Sequence, residues 1–451
     1  MGVPKKTTMA ASSVTDAEAP KRAPSSEESR LLGDKGREPA IPKVLMTLHV
    51  PRLFGCVHII LMHFGPPLLD RGGVVRGGYV WLQFFFMLSA FGAAHSQMSS
   101  AGLRATAESG VWHPDERRLL RRAISVYPTY LVALLLCCFL RCLSMSVDGS
   151  SADGISADGN STESCILPKT LILEGLMLQG WFPWGAVTDP TAYNGPDWFV
   201  SALTGCWLFE SAAIRLGSMA CVRAGPGNIP WTGLACVVFY MLVSPVVGYL
   251  YTWAYLAEGE VSALSHLHVY FCGTLLACWL HSRADAKLSP LPWLATASTL
   301  VLLCLVCVDI SWLVTLSWFG ADDAQVHSNF KHFNESGVFV LIFGALITGL
   351  VGGTDPIARA LNRLPDVVNN AARDLAMGMY LLQKPAALAV CLLWNQGRSH
   401  LWIDGWPEVT SSWAELGIFF LVTLAGAVAV QYALQKPIAR YVQTQLSQRP
   451  P

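Results

Sequence analysis

The sequence has little charge. Only 14% of its 451 residues are Asp, Glu, Lys or Arg, whereas a soluble domain carries roughly 25%. The 31 basic residues balance the 31 acidic ones, so there is no basic excess of the kind that marks nucleic-acid binding. A hydrophobic content of 53% excludes a disordered chain. Together these features exclude a soluble cytosolic enzyme and indicate a membrane protein with many spans.

The sequence also lacks Cys and His residues spaced as metal ligands are. Most of the 13 cysteines lie within apolar runs, where a thiol packs as a small hydrophobe. The pairs Cys137–Cys138 and Cys304–Cys307 lie in uninterrupted hydrophobic sequence without matching His or Cys partners. We therefore predict no metal site.

The sequence is rich in long apolar runs. They predict an all-α, polytopic membrane protein with about ten transmembrane helices, surrounded by the lipid bilayer. A shorter run, 171–184, contains Gly and Pro, and we interpret it as a re-entrant or interfacial piece. The predicted crossings are residues 45–65, 78–95, 124–143, 198–216, 231–252, 264–281, 293–319, 337–353, 375–395 and 412–434.

The distribution of basic residues orients these spans. An even number of spans puts both termini on one side, and that side holds 23 of the 31 Lys and Arg residues, against 6 on the other. Cytosolic loops carry such an excess, so we predict that both termini are cytosolic. Two N-glycosylation sequons, at Asn160 and Asn334, fall in loops on the opposite side and predict a glycoprotein.

The two ends of the chain are polar. Residues 1–42 lack apolar periodicity and predict a disordered cytosolic tail. Within it, Glu27–Leu32 matches an acidic-dileucine pattern that adaptor proteins read as an address to endosomes, lysosomes or vacuoles; the plasma membrane or another endomembrane is the alternative. We predict a membrane domain over 43–445, with a flexible non-cytosolic loop at 144–168, and a short cytosolic tail at 446–451.

The first predicted span carries two ionisable residues, Arg52 and His63. Such residues are costly in lipid and mark candidate sites. Their spacing of eleven residues places them on one helix face, about 16 Å apart along the axis. A histidine at the non-cytosolic end is suited to act as a general base toward a hydroxyl, although a histidine hydrated in a pore has the same pattern. We interpret His58, five residues earlier, as a packing residue.

Four arginines precede the third span: Arg117, Arg118, Arg121 and Arg122. Arginines at i, i+3 and i+4 share one helix face, where they are suited to bind phosphates such as those of coenzyme A. The alternative is a positive-inside anchor that contacts lipid headgroups.

Along residues 45–445 the motifs resemble those of the acyltransferase-3 family of integral membrane acyltransferases. The Arg52–His63 pair resembles the family's Arg, ten residues, His in its first span. Gly78–Phe91 is similar to the block G-x-x-x-D-x-F-F-x-L-S-G-F, with Gln83 and Ala90 for the usual Asp and Gly. Similar segments follow in family order at residues 121–130, 194–201, 271–273, 379–385 and 435–440.

Besides Gln83, four positions depart from the family pattern by losing an ionisable group. Ser125 stands for Arg, Leu203 and Gln435 stand for Glu, and Gln383 stands for His. Glutamine still forms hydrogen bonds but does not titrate. Positions 383 and 435 are therefore predicted to have no acid–base role.

The resemblance implies an O-acyltransferase. It implies transfer of an acyl group, usually acetyl from acetyl-CoA, to a hydroxyl of a carbohydrate or small-molecule acceptor. His63 and Arg52 would be the catalytic residues, with His63 as the base or acyl-relay residue and with Arg52 and the run Arg117, Arg118, Arg121 and Arg122 near the donor's phosphates. Two other classes stay open: a multi-span solute transporter and a catalytically inactive acyltransferase-like regulator.

Overall fold

The computed structural model describes a defined part of the chain, all of it within the unit Lys43–Pro451. The acidic-dileucine pattern, both sequons and most of the predicted 144–168 loop lie outside the described residues, so those expectations stay predictions. The described residues are 43–64, 78, 80–110, 112, 115–147, 168–179, 181, 194–239, 242, 263–285, 291–307, 339–394, 402–403, 406–407 and 413–448.

The described structure is almost entirely helical, which confirms the predicted fold class. Residues 231–239 are also helical, and a two-residue antiparallel ladder joins β1 (Trp402–Ile403) to β2 (Trp406–Pro407). The helices are α1 (Lys43–Met46), α2 (His49–Phe64), α3 (Val80–Ala101), α4 (Leu103–Glu108), α5 (Glu116–Val147), α6 (Pro168–Gly175), α7 (Asp197–Leu208), α8 (Glu210–Ala224), α9 (Ala263–Asp285), α10 (Leu294–Cys307), α11 (Phe339–Gly352), α12 (Pro356–Asn362), α13 (Asp366–Trp394), α14 (Trp413–Val430), a π-helical turn (Gln431–Gln435) and α15 (Lys436–Gln448).

Several of these helices are able to cross a membrane by length and composition. In the described part, four helices are long and apolar enough to cross a membrane. The number rises to six if each of the bent pairs α7–α8 and α11–α12 forms one span. The predicted span 198–216 is not straight, because the axes of α7 and α8 differ by 58°. The count of ten spans and the cytosolic termini stay predictions. The four long apolar helices are Glu116–Leu143, Ala263–Ala284, Asp366–Leu393 and Trp413–Gln445.

Two helices extend past the predicted boundaries. Helix α5 continues to Val147, into the segment predicted as a loop, because no Gly or Pro occurs between Pro128 and Gly149. Helix α15 likewise continues to Gln448, into the predicted tail. The piece interpreted as re-entrant or interfacial begins as the short helix α6 and turns at Leu176–Met177.

Glycines allow the closest helix contacts. A Cβ added at Gly273 in α9 would lie 2.2 Å from the carbonyl oxygen of Met87 in α3, and one at Gly349 in α11 would lie 2.2 Å from the backbone nitrogen of Ala295 in α10. In lipid, helices associate through such close backbone approaches, because no hydrophobic effect drives them together. The glycine of the 271–273 motif is therefore a packing requirement.

We predict that Gly273→Ala lowers the free energy of unfolding by about 1–3 kcal/mol, the usual cost of an overpacked core. Its added methyl group meets backbone atoms of Met87, which cannot rotate away. Thermal unfolding in detergent micelles measures the change. Gly417→Ala in α14 is the control, since a Cβ there meets nothing within 4 Å, and equal losses in both variants would contradict the prediction.

Candidate functional site

A cavity of about 610 Å³ lies between helices α2, α3, α5, α7 and α13. This volume is in the range of small-molecule sites in proteins. Its wall combines guanidinium groups and hydroxyls with apolar and aromatic side chains, so it is suited to a ligand that has both an anionic and an apolar part. The polar lining residues are His49, Arg52, Ser89, Ser96, Gln97, Ser100, Arg118, Arg121, Arg122 and Ser125.

The start of α5 supplies three of these guanidiniums. Arg118, Arg121 and Arg122 line the cavity because residues spaced by three and four share a helix face. Arg117 is exposed and lies outside the lining, although its carbonyl oxygen accepts a hydrogen bond of 3.2 Å from Nε of Arg121. The structure thus brings together three of the four arginines predicted to bind the donor.

Glu210, at the start of α8, holds two of these arginines. Its carboxylate is buried, forms an ion pair with Arg122 and lies 3.4 Å from Nη1 of Arg118. The hydroxyl of Tyr270 in α9 donates to Oε2 of Glu210 at 2.8 Å. Arg122 also lies over the ring of Trp207, 5.5 Å from its centroid. This network ties α5 to α7, α8 and α9 beside the cavity.

Arg52 and Arg121 differ from Arg118 and Arg122 in their ion pairing. Both line the cavity, and neither has a carboxylate partner among the residues that the structure describes. The positive charge of Arg118 and Arg122 is offset by Glu210, whereas that of Arg52 and Arg121 is available to an anionic ligand.

His63 lies at the opposite end of α2 from Arg52 and is not part of the cavity lining. Its ring packs against Phe64 with centroids 6.1 Å apart, and it lies within electrostatic range of Lys384 in α13. The structure therefore places the two residues predicted as a catalytic pair in different surroundings. His58 is buried, and its Nδ1 accepts a hydrogen bond of 2.9 Å from Nε1 of Trp81, which agrees with its interpretation as a packing residue.

Three aromatic rings lie between these two ends of the bundle. The centroid of Phe199 is 6.0 Å from that of Phe85 and 5.4 Å from that of Tyr380, and all three residues line the cavity. Phe199 lies two residues from Asp197, and Tyr380 lies one helical turn before Lys384. We call Phe85, Phe199 and Tyr380 the aromatic floor.

The positions that depart from the family pattern have structural roles. Ser125 and Leu203 line the cavity. Gln435, in the π-helical turn, donates to the carbonyl oxygen of Ser125 and accepts a hydrogen bond of 2.7 Å from Thr129. Gln383 is buried and donates to the carbonyl oxygen of Tyr380 at 2.8 Å. Gln435 thus braces the arginine-bearing helix with hydrogen bonds alone.

Our sequence analysis did not single out Glu210 or Tyr270 as site residues. The available signal was the position of Glu210, an acidic residue inside an apolar run, which requires a partner in a membrane. Periodicity alone does not say which helix carries that partner. No group of three or more potential metal ligands occurs among the described side chains.

An arginine-lined cavity inside a bundle of apolar helices defines a helical membrane protein with a basic internal cavity. Residues 48–432 match the family model described as an acyltransferase domain. The chain therefore belongs to the acyltransferase-3 family of integral membrane acyltransferases, as its motifs predicted. No curated protein and no solved structure matches it.

We predict that Glu210→Gln lowers the free energy of unfolding by about 1.5–3 kcal/mol, the value of hydrogen bonds to a charged group. The amide keeps the side-chain size but leaves Arg122 without its carboxylate and Arg118 with only the 3.8 Å pairing to Asp115. Thermal unfolding in detergent micelles measures the loss. Glu108→Gln, an exposed position in α4, is the control, and an unchanged midpoint in the Glu210 variant would contradict the prediction.

Proposed function

We propose that the protein is an O-acyltransferase that takes an acyl group, usually acetyl in family members, from acyl-CoA and transfers it to a hydroxyl. The observation that carries the proposal is the arginine-lined cavity, whose lining includes the aromatic floor. The chain that contains this cavity belongs to a family of membrane acyltransferases. Acyl-CoA has the matching chemistry, because its phosphates are strongly anionic and its acyl group is apolar.

The donor's phosphates bind Arg52 and Arg121 in this proposal. Guanidinium groups pair with phosphate oxygens through two parallel hydrogen bonds. Arg118 and Arg122 add positive potential while Glu210 and Tyr270 hold them in place. Preorganised charges of this kind need no rearrangement when the ligand binds.

The thioester then points along α2 toward His63. Cys56 lines the cavity one turn after Arg52, and His63 follows seven residues later, about 10 Å further along the axis. The long pantetheine arm of coenzyme A separates its phosphates from its thioester, which allows both ends of the donor to be bound at once. The aromatic floor has to open for the thioester to reach the histidine.

His63 is the proposed general base. Its neutral imidazole takes the proton of the acceptor hydroxyl as the oxygen attacks the thioester carbonyl. The new C–O bond forms, the C–S bond breaks, and the proton passes to the departing CoA thiolate. The predicted topology supports this arrangement, since it puts the arginine end on the cytosolic side, where acyl-CoA is present, and the acceptor on the other side.

We predict that Arg52→Ala and Arg121→Ala each raise the KM for acetyl-CoA about 10- to 100-fold, as expected for loss of a charge-assisted hydrogen bond. Transfer of labelled acetyl groups by membranes containing the full chain measures this constant. Arg104→Ala is the matched control, because Arg104 is exposed on α4 and outside the cavity lining. A KM that rises equally in all three variants would refute donor binding by Arg52 and Arg121.

We predict that His63→Ala lowers kcat by about 10²- to 10⁴-fold, the usual contribution of a general base, while binding of acetyl-CoA persists. Equilibrium binding and acetyl transfer are measured on the same membranes. Equal label incorporation by wild type and variant would refute the assignment of His63. Solute flux that survives the substitution would favour a transporter, and no transfer by the wild type would favour an inactive regulator.

A further inference from the structure

Buried polar residues form a second cluster on the far side of the aromatic floor. Four helices, α5, α6, α7 and α13, and the segments beside α6 and α7 bring together six residues that we call the distal cluster: Tyr130, Glu174, Gln179, Asn194, Asp197 and Lys384. Asp197 interacts electrostatically with Glu174 and Lys384, and Lys384 interacts with His63. All six side chains are almost completely buried.

The cavity and the distal cluster follow each other along the same helices. In α7, Asp197 precedes the cavity residues Phe199 and Leu203. In α13, the cavity residue Tyr380 precedes Lys384 by one turn. In α2, as in α13, the cavity residue comes first: Arg52 lies at the cavity and His63 lies at the far end of the helix. A group that crosses the aromatic floor from the cavity therefore arrives at the distal cluster.

Hydrogen bonds hold the cluster in place. Asn194 donates to Oδ1 of Asp197 at 2.6 Å and to the carbonyl oxygen of Leu381 at 3.2 Å. Gln179 donates to the hydroxyl of Tyr130 at 3.0 Å, and this hydroxyl donates to the carbonyl oxygen of Glu174 at 2.5 Å. The donors of both amide side chains are thus used within the protein.

Three acceptor atoms of these residues are not used. Among the residues that the structure describes, Oδ2 of Asp197, Oδ1 of Asn194 and Oε1 of Gln179 are buried and have no hydrogen-bond partner. Buried polar atoms without partners are rare, because their lost hydration is not replaced. All three unpaired atoms are acceptors, so the group that completes them has to carry several O–H or N–H donors.

We propose that the distal cluster binds a polyhydroxyl acceptor, with Asp197 accepting a hydrogen bond from one of its hydroxyls and Asn194 and Gln179 accepting from others. The inference rests on the proposed function, since it gives that reaction its acceptor site beside His63. Asp197 begins α7, where its Oδ1 accepts a hydrogen bond from Asn194 and its buried Oδ2 is left unpaired.

The experiment measures binding of methyl glucoside, which has several hydroxyls, and of cyclohexanol, which has one hydroxyl on a ring of similar size. The purified full chain is used in lipid nanodiscs, with calorimetry as the readout. We expect saturable binding of methyl glucoside that is tighter than that of cyclohexanol. Asp197→Asn is expected to weaken methyl glucoside binding about tenfold, because the amide NH₂ that replaces Oδ2 does not accept a hydrogen bond.

Asp374→Asn is the matched control. Asp374 is another largely buried carboxylate, on α13, but it is paired with Lys436 at 2.8 Å and with Arg373 at 2.8 Å. Its variant is expected to bind methyl glucoside like the wild type. No saturable binding by the wild type, equal binding of the two probes, or an equal effect of both substitutions overturns the inference.

A second variant covers the case in which Asp197→Asn does not fold. Gln179→Met removes an unpaired buried oxygen together with the hydrogen bond from Nε2 to Tyr130, and it keeps the side-chain volume while the Tyr130 hydroxyl still donates to Glu174. We expect a variant that folds, with a thermal midpoint lowered by no more than the loss of one hydrogen bond, and weakened methyl glucoside binding; unchanged binding overturns the inference. Coenzyme A binding, measured on the same samples, tests the proposed function separately. If the wild-type protein does not bind coenzyme A, the proposed donor site is refuted and the distal cluster is not.

Discussion

Charge buried in an apolar bundle has to be compensated, and the ion pairs of Glu210 do this for the arginine end of the protein. Without that carboxylate, the neighbouring guanidiniums of Arg118 and Arg122 would repel each other in the wall of the cavity. With it, helices α5 and α8 are fixed relative to each other, and Tyr270 adds α9 through the same carboxylate. The remaining guanidiniums, Arg52 and Arg121, then face the cavity with their charge available. One acidic residue thus divides four cations into two that support the structure and two that are available for binding.

The helical architecture was predictable because apolar runs of membrane-crossing length specify helices whatever their neighbours are. The arginine face of α5 was predictable for a similar local reason, since spacing by three and four residues defines a face. The partners of these residues were not predictable: Glu210 and Tyr270 meet Arg122 only because α8 and α9 pack beside α5. The bend at Phe209 was missed because residues 198–216 have no proline, and hydropathy alone does not detect a break.

The placement of His63 shows the limit of reasoning along a single helix. Helical spacing correctly put His63 on α2 with Arg52, but it gave no information about the layer between them. That layer is made by Phe85, Phe199 and Tyr380, which come from three other helices. The distal cluster is equally non-local, because Asn194 reaches the carbonyl oxygen of Leu381 in a distant part of the sequence.

The aromatic floor also bears on the electrical integrity of the membrane. A bundle with guanidiniums at one end and carboxylates at the other has the polar lining of an ion-conducting pore. Closely packed rings interrupt that lining with an apolar layer, and such constrictions block ions by excluding water. The three rings of the floor, 5.4 to 6.5 Å apart between centroids, supply an apolar layer of this kind between the arginines of the cavity and the distal cluster.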